Sequence, residues 1–440
     1  MLAACGNSGN DTSTTTTAGG SGDTSGSSGA GDRDTHHAIS GVPGVSDTDI
    51  TYSVVGTKKG NPLGTCILDC YTAGIRAYFA YRNDEGGIFG RKLVLADPID
   101  DELGNNQARA LDIISAKKSF GVFQATLLAT GWADLDKAGI PTYAWGINAD
   151  EAANKSHIFP SQPINCADCT TRSAPYAAKL AGAKHAAAIG YGATENSKVC
   201  THSTADSFKL YQKDTGVDVT YINDHLAFGL SNGIGPEVTA MKKAGVDFIA
   251  TCIDLNGMKT LAQELHRQTM DNVTLLHPNS YDQAFIAQGA DLFEGDYVGV
   301  GFRPFEATAK GSGLEDFLTW MGKQNQEPTE LAMNGWINAS LAFDGLLAAG
   351  PDFDQTKVTN ATNQLTSWTA DGIREPIDWT VAHKTFTNAT RDQAKGPECT
   401  VLVQVKAGKF VVVGDPDKPW SCWPKYSDTT WSEPEPTNFK

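Results

Sequence analysis

The chain has 440 residues, 40% of them hydrophobic, which is enough for two or more domains with sizeable cores. Its formal net charge of −16 and pI near 4.9 argue against nucleic acid as a partner and against electrostatic binding to an anionic membrane surface. No run of about 18 apolar residues occurs, so no stretch of the sequence reads as a membrane-spanning helix.

The first residues, Leu2-Ala3-Ala4-Cys5-Gly6, have the small-residue pattern at which a bacterial lipoprotein signal is cut before its cysteine. The basic and apolar residues that precede such a cut do not appear upstream. Residues 6–46 are rich in Gly, Ser, Thr and Asp with almost no apolar content. That composition buries no core and reads as a disordered tether. An acylated Cys5 followed by a flexible arm makes residues 1–47 a membrane anchor. One acyl chain binds a membrane only marginally, at about 10⁴ M⁻¹, so stable attachment needs several. His36 and His37 sit in this arm, and no metal is assigned to them.

The folded part begins near Asp49. Residues 50–55 alternate and are β-branched, as in a strand. Residues 66–83 carry apolar side chains at helical spacing and stop at Gly86-Gly87. A strand at 91–96 and a helix at 105–116 follow. The stretch 120–148 then reads strand, turn, helix, strand. Its apolar run 120–123 breaks at Gln124, Ala125 and Thr126, a helical segment runs through Ala138, and a second apolar run, 140–144, ends at Trp145, Gly146 and Asn148. Alternating strands and helices give a parallel sheet, and the turns after such strands share one edge, where ligands bind. An irregular, proline-containing stretch spans 157–175. The alternation then restarts: helix 176–183, strand 185–191, helix 201–215, strand 217–222, helix 236–244, strand 248–252, helix 258–269, strand 273–277. Near 295–301 it turns to a strand and then to helices at 314–324 and 334–350. The region from 375 is β-rich, with strands at 401–405 and 410–413. Two α/β lobes with a chain that crosses between them imply a hinge and a cleft.

With Cys5 set aside, eight cysteines remain: Cys66, Cys70, Cys166, Cys169, Cys200, Cys252, Cys399 and Cys422. An even number in an exported chain points to disulfides. Cys66/Cys70 and Cys166/Cys169 are close in sequence, Cys200 and Cys252 both follow apolar runs, and Cys399 and Cys422 flank a hairpin. Eight cysteines allow roughly 10² connectivities, so sequence does not fix the pairing. Cys166-x-x-Cys169 lacks a second ligand pair at zinc spacing, and no metal or cofactor is expected.

Five blocks in order resemble the type I periplasmic solute-binding proteins of ABC transporters, of the leucine/isoleucine/valine-binding (branched-chain amino acid) family. They are YTAGIRAYFAYRNDEGGIFGRKLVLADPIDD; the stretch 120–148; AAAIGYGAT through VTAMKKAGVDFIATCID; YDQAFIAQGADLFEGDYVGVGFRPF; and AMNGWINASLAFDGLLAAG. The match runs from about Thr48 to Val413. The resemblance implies two Rossmann-like lobes joined by three crossovers, a Venus flytrap closing on a ligand. The lobes would be residues 48–158 with 300–375, and 159–299 with 376–440. It also implies that the turns after the third and fourth strands hold a ligand carboxylate, here with Gln124, Ala125, Thr126, Trp145 and Asn148. Backbone N–H groups in such turns attract anions. Members that bind α-amino acids usually have Ser or Thr near Ala125 and Asn148, so this chain departs there. In the second lobe Tyr191 fits the expected aromatic. The acid usual for the ammonium group is absent from HLAFGLSNG, which leaves Asp254 and Asp282, Asp282 first; it also reads as a helix N-cap. Tyr143, Phe228 and Tyr281 complete the aromatic set. Trp132 reads as packing, whereas Trp145, at a strand end, reads as a stacking surface for ligand.

These readings make the chain a non-catalytic, extracytoplasmic, monomeric receptor. It would deliver an amino acid-like or aromatic or apolar carboxylate ligand to an ABC permease, with a lipid as its sole membrane attachment. The alternative is an amide or amino acid sensor acting on a separate signalling partner. No G-x-S-x-G, H-E-x-x-H or P-loop is present, and Gly190-Tyr191-Gly192 is too short for a dinucleotide fingerprint.

Overall fold

The computed structural model describes residues 33–163, 166, 168–193, 195–278, 280–393 and 396–440. Cys5, the expected lipid site, lies outside them, as does the tether through residue 32. The end of the expected tether is not free. Arg33 donates from Nε to Gly87 O at 2.6 Å and from Nη2 to Arg82 O at 3.0 Å, and Phe89 N donates back to Arg33 O at 2.7 Å. Ile39, Val42 and Val45 pack against the core behind it. Arg91, buried in the lobe, donates to His37 O at 2.8 Å and to Ser46 O at 2.7 Å, so residues 33–47 form part of the first lobe although the arm averages polar.

The first sheet is parallel throughout. It contains β1 (Asp49–Gly56), β2 (Lys92–Leu95), β3 (Ile99–Asp100), β4 (Gly121–Ala125), β5 (Thr142–Ala144) and β6 (Ile158–Pro160), in the order β2-β1-β4-β5-β6 with β3 on β1. Between them run α1 (Leu68–Asp84), α2 (Asn106–Ala116) and α3 (Trp132–Lys137). β6 falls within the stretch expected to be irregular. Its three residues are too few to show a period, yet all are buried. Under this sheet Tyr52 meets Phe79, Phe120 and Phe123 at 5.3–5.8 Å between ring centres.

The second sheet begins after α4 (Ser173–Leu180). It contains β7 (His185–Tyr191), β8 (Asp218–Leu226), β9 (Phe248–Cys252), β10 (Thr274–His277) and β11 (Tyr297–Val300), all parallel in the order β8-β7-β9-β10-β11. Its helices are α5 (Glu195–Thr215), α6 (Gly235–Lys243), α7 (Leu255–Arg267), α8 (Gln283–Gln288) and α9 (Ala290–Phe293). The chain then returns to the first lobe as α10 (Gly313–Lys323), α11 (Glu330–Ala349) and α12 (Gln355–Thr362). α11 is buried on nearly every face and lies tightly on α1. A Cβ at Gly74 would strike the Ala332 carbonyl, and one at Gly335 the Tyr71 carbonyl. The chain crosses a third time and closes the second sheet with antiparallel β12 (Glu398–Lys406), β13 (Lys409–Val412), β14 (Trp420–Trp423) and β15 (Glu435–Thr437).

The eight cysteines pair as Cys66–Cys70, Cys166–Cys169, Cys200–Cys252 and Cys399–Cys422. Cys200–Cys252 joins α5 to the end of β9, and Cys399–Cys422 joins β12 to β14.

The three crossing stretches touch one another. Gly301 faces the Gln162 side chain, Arg303 N donates to Ile373 O, and the buried Arg374 guanidinium donates to Ser161 O. Burial lowers the Arg374 pKa to about 10, as expected for a charge held away from water.

Candidate ligand cleft

The carboxyl ends of the β1, β4 and β5 strands form one wall. Here the polar residues named from sequence are mostly engaged internally. Gln124 is fully buried and its Oε1 accepts from Asn106 Nδ2 at 2.9 Å. Ala125 is also buried, and its carbonyl accepts from Thr57 N at 3.0 Å. The Thr126 hydroxyl donates to Asp101 Oδ2, so it is not free to meet a ligand carboxylate. Asn148 is partly exposed and donates from Nδ2 to Thr126 O at 2.9 Å, which locks the two turns together. Trp145 is partly buried, its N–H donating to Gln124 O at 2.8 Å. Tyr143 lies wholly inside the lobe, between Phe123 and Phe159 at 5.5 and 5.6 Å. Burial pushes its pKa up. Leu128 and Ile147, just after these strands, are exposed at 47% and 36%.

The opposing wall comes from the ends of β7, β8, β9 and β10. Tyr191 is buried, with Phe228 beside it at 5.0 Å and exposed at 42%. Tyr191 Oη donates to Asp254 Oδ1 at 3.1 Å. Burial, with the Asp254 carboxylate next, raises the Tyr191 pKa. Asp254 also caps α7, accepting from Gly257 N at 2.7 Å. Asp282 caps α8 in the same way, accepting from Phe285 N at 2.8 Å. The cap reading of Asp282 is therefore present in the structure, and the carboxylate retains acceptor capacity beyond it.

The two walls meet. Asn256 Nδ2 at the start of α7 donates to Pro62 O, in the loop after β1, at 3.4 Å. Two further carboxylates, not singled out from the sequence, lie beside Tyr281 and Asp282 of the second wall. Tyr281, buried, donates from Oη to Glu306 Oε2 at 2.7 Å and accepts from Phe305 N at 2.7 Å. Burial raises the Glu306 pKa. Glu330, the first residue of α11, faces Asp282. Burial first, and then Asp282, pushes its pKa up to about 7. A Thr329 cap before an acid was readable as a helix start, but its place opposite Asp282 depends on how the lobes sit. Among the described residues, Cys166, Asp168 and Cys169 also cluster. Their two sulfurs are bonded to each other, which leaves no thiolate for a metal.

Two α/β lobes, strand ends meeting across a junction and a chain that crosses between them define a type I, two-lobed solute-binding fold. Residues 67–409 match the periplasmic binding protein family, and the chain belongs to it. No curated protein sequence matches the chain. Among solved structures it is similar to a leucine-binding protein from Thermotoga maritima, with TM-score 0.63 and 15% identity, over 84% of this chain and 99% of that one. It is also similar to an R. palustris solute-binding protein in complex with benzoate, with TM-score 0.63 and 17% identity over 84% and 96%. A fatty acid ABC transporter substrate-binding protein from Thermomonospora curvata gives TM-score 0.61 and 17% identity over 90% and 97%. At these identities the likeness is one of fold.

Proposed function

We propose that this protein is a non-catalytic extracytoplasmic receptor that hands a small solute to an ABC importer. Its ligand is an amino acid-like or an aromatic or apolar carboxylate. The lobes are residues 48–158 with 300–375 and residues 159–299 with 376–440, adjusted so that the 33–47 arm and all of β6 go with the first; the receptor acts as a monomer and is tethered through Cys5. The observation that carries the ligand class is the set of large apolar side chains left exposed at strand ends on both walls: Leu128 and Ile147 on one, Phe228 on the other. Single exposed apolar residues are ordinary, but these three follow strand carboxyl ends, where α/β folds bind ligands. Gln124, Ala125, Thr126, Trp145 and Asn148 contribute backbone and shape to the first wall. Tyr191, Phe228, Asp254, Tyr281 and Asp282 contribute to the second. A leucine-binding relative in fold and a benzoate-bound one bracket the candidates.

Native mass spectrometry of the purified protein, followed by tryptophan fluorescence titration with leucine, benzoate and a medium-chain fatty acid, tests the reading. Saturable binding of one of these is expected. Tight leucine binding with no response to the other two would remove the aromatic and apolar part, and no saturable response to any small carboxylate would remove the whole.

A further inference from the structure

Residues 410–440 lie beyond the segment matched by the family. β14 adds to β12, β15 adds to β14, and Cys399–Cys422 ties the first pair. Trp420 and Trp423 are buried there. The segment is thus rooted in the second lobe. From that root it reaches back over two of the three crossing stretches. Thr308 N donates to Pro416 O at 3.0 Å, and the Thr308 hydroxyl donates to Asp417. The buried Arg303 donates from Nη2 to Asn438 Oδ1 and from Nε to Gly372 O at 3.0 Å. Its guanidinium lies 4.9 Å from the centre of the Trp420 ring, and Phe439 meets Trp420 edge-on at 5.1 Å. Thr369 Oγ1 donates to Lys440 O at 2.7 Å. Gly372, at φ +75°, lies so close to the Phe439 backbone that no Cβ would fit.

The far side of these contacts belongs to the first lobe. Gly313 N donates to Asp371 O at 2.7 Å, and Arg82 of α1 faces Asp371 at 3.7 Å. Trp368 Nε1 donates to Asp344 of α11 at 2.7 Å. Residues 438–440 therefore join the β14 face of one lobe to the 369–372 loop of the other.

We infer that residues 414–440 form a strap across the hinge that limits how far the lobes open. A hinge works because a few residues absorb the rotation and little else joins the moving parts. Here a further tie must stretch or break first. Breaking it strips acceptors from a buried guanidinium, whose hydrogen bonds are charge-assisted and costly to leave unmade. The strap holds the lobes near the relation in which Asn256 reaches Pro62. The inference rests on the reading that the lobes move to admit a solute, and it is independent of which solute that is.

Spin labels carried on non-natural residues at the exposed positions Lys118 and Lys213, one in each lobe, report the lobe separation by electron–electron resonance. The wild type is compared, with no solute added, with the double variant Asn438→Ala/Phe439→Ala and with Thr369→Val. The second variant keeps the side-chain volume and removes one hydroxyl, which donates to Lys440 O and accepts from Gly372 N at 3.2 Å, so it disturbs the packing less than the first. Expected is a distance distribution that is longer and broader in the double variant and shifted the same way, by less, in Thr369→Val. Wild-type distributions in the folded variants overturn the strap. A solute series on the wild-type labels tests the receptor reading separately: labels that close on a solute while the variants keep wild-type distances sink the strap alone, whereas variant distances that lengthen support it whatever the solute series gives.

Discussion

Replacing Glu330 by Gln probes the lobe junction without changing its shape. The side chain is partly exposed, and burial together with Asp282 holds its pKa at about 7 against an ordinary 4.5. The sign follows from linkage. A carboxyl whose folded pKa is raised binds its proton more tightly in the folded protein, so its contribution is fully present below the unfolded pKa and is lost as pH rises through the folded one. A gap of about 2.5 pH units is worth about 3 kcal/mol at ~1.36 kcal/mol per unit. The N-terminus of α11 works the other way, favouring the anion by roughly 0.3–1 kcal/mol. Glu330→Gln is neutral at every pH. It is expected to stabilise the protein by about 2–3 kcal/mol near pH 8 and by under about 1 kcal/mol near pH 5. Urea unfolding followed by tryptophan fluorescence across that range measures the difference. A difference between the two proteins that stays constant with pH would refute the reasoning, because only a titrating carboxyl makes it vary.

Phe228→Ala should weaken solute binding by roughly tenfold, about 1.4 kcal/mol, while moving the unfolding midpoint little, since the ring is 42% exposed; calorimetric titration showing unchanged affinity for every bound solute would count against Phe228 as a cleft residue. His383, whose Nε2 pairs with Asn363 Oδ1 at 2.7 Å and whose ring meets Phe159 at 5.3 Å, has its pKa lowered by burial to about 4. Its contribution is present above the ordinary 6.5 and lost as pH falls toward 4, about 3 kcal/mol in all, and His383→Gln should flatten that part of the pH–stability curve. Arg172 and Glu398 form an ion pair exposed by only 2% and 4%, and Arg172→Leu should cost about 3–5 kcal/mol by leaving the buried Glu398 without its guanidinium, with the residue 172 backbone N–H still donating to it. Adding Glu398→Gln should recover part of that loss in the same urea assay.

Most elements with a clear period were legible. The 185–191 and 248–252 strands coincide with β7 and β9, and the 105–116 helix differs from α2 by one residue. The helix after β4 is shorter than expected, beginning only at Trp132, because Asn106 Oδ1 takes the Gly131 N–H and holds 126–131 in an irregular turn. That bond spans 25 residues, and no local pattern encodes it. β6, β14 and β15 escaped because each is short and is broken by a residue that does not read as strand, Pro160, Ser421 and Pro436, whereas the equally short β10 and β13 stand out as apolar runs. The site divided similarly. Strand ends were located only to within a few residues: β4 runs on through Gln124 and Ala125, which were read as the turn after it, and β8 runs to Leu226 rather than to 222. What each side chain does there was not legible, because Thr126 bonds Asp101, Tyr281 bonds Glu306 and Glu330 lies near the like charge of Asp282. Each pairing is set by tertiary approach rather than by spacing.

The arm before β1 gives the sharpest case of such tertiary control. By composition residues 33–47 belong with the polar stretch before them, yet the Arg33 side chain makes four anchoring contacts. It donates to two backbone carbonyls, pairs with Glu85 at 3.1 Å, and lies 5.2 Å from the Phe343 ring centre. The carbonyls it caps are Arg82, in the last turn of α1, and Gly87, in the turn into β2; Arg82 O already accepts from Gly87 N at 2.8 Å, so Arg33 gives it a second bond. Arg33 thus reinforces the helix end as well as tying down the arm. Arg33→Ala should cost about 1.5–3 kcal/mol, the range for hydrogen bonds to a charged group. Hydrogen exchange at the Phe89 amide, which donates to Arg33 O at 2.7 Å, should accelerate in that variant while the β1 amides stay protected. If Phe89 keeps its wild-type exchange rate, the arm is held instead by Ile39, Val42 and Val45 and by the buried Arg91, which donates to His37 O at 2.8 Å and to Ser46 O at 2.7 Å, and the Arg33 guanidinium contributes little to fixing it.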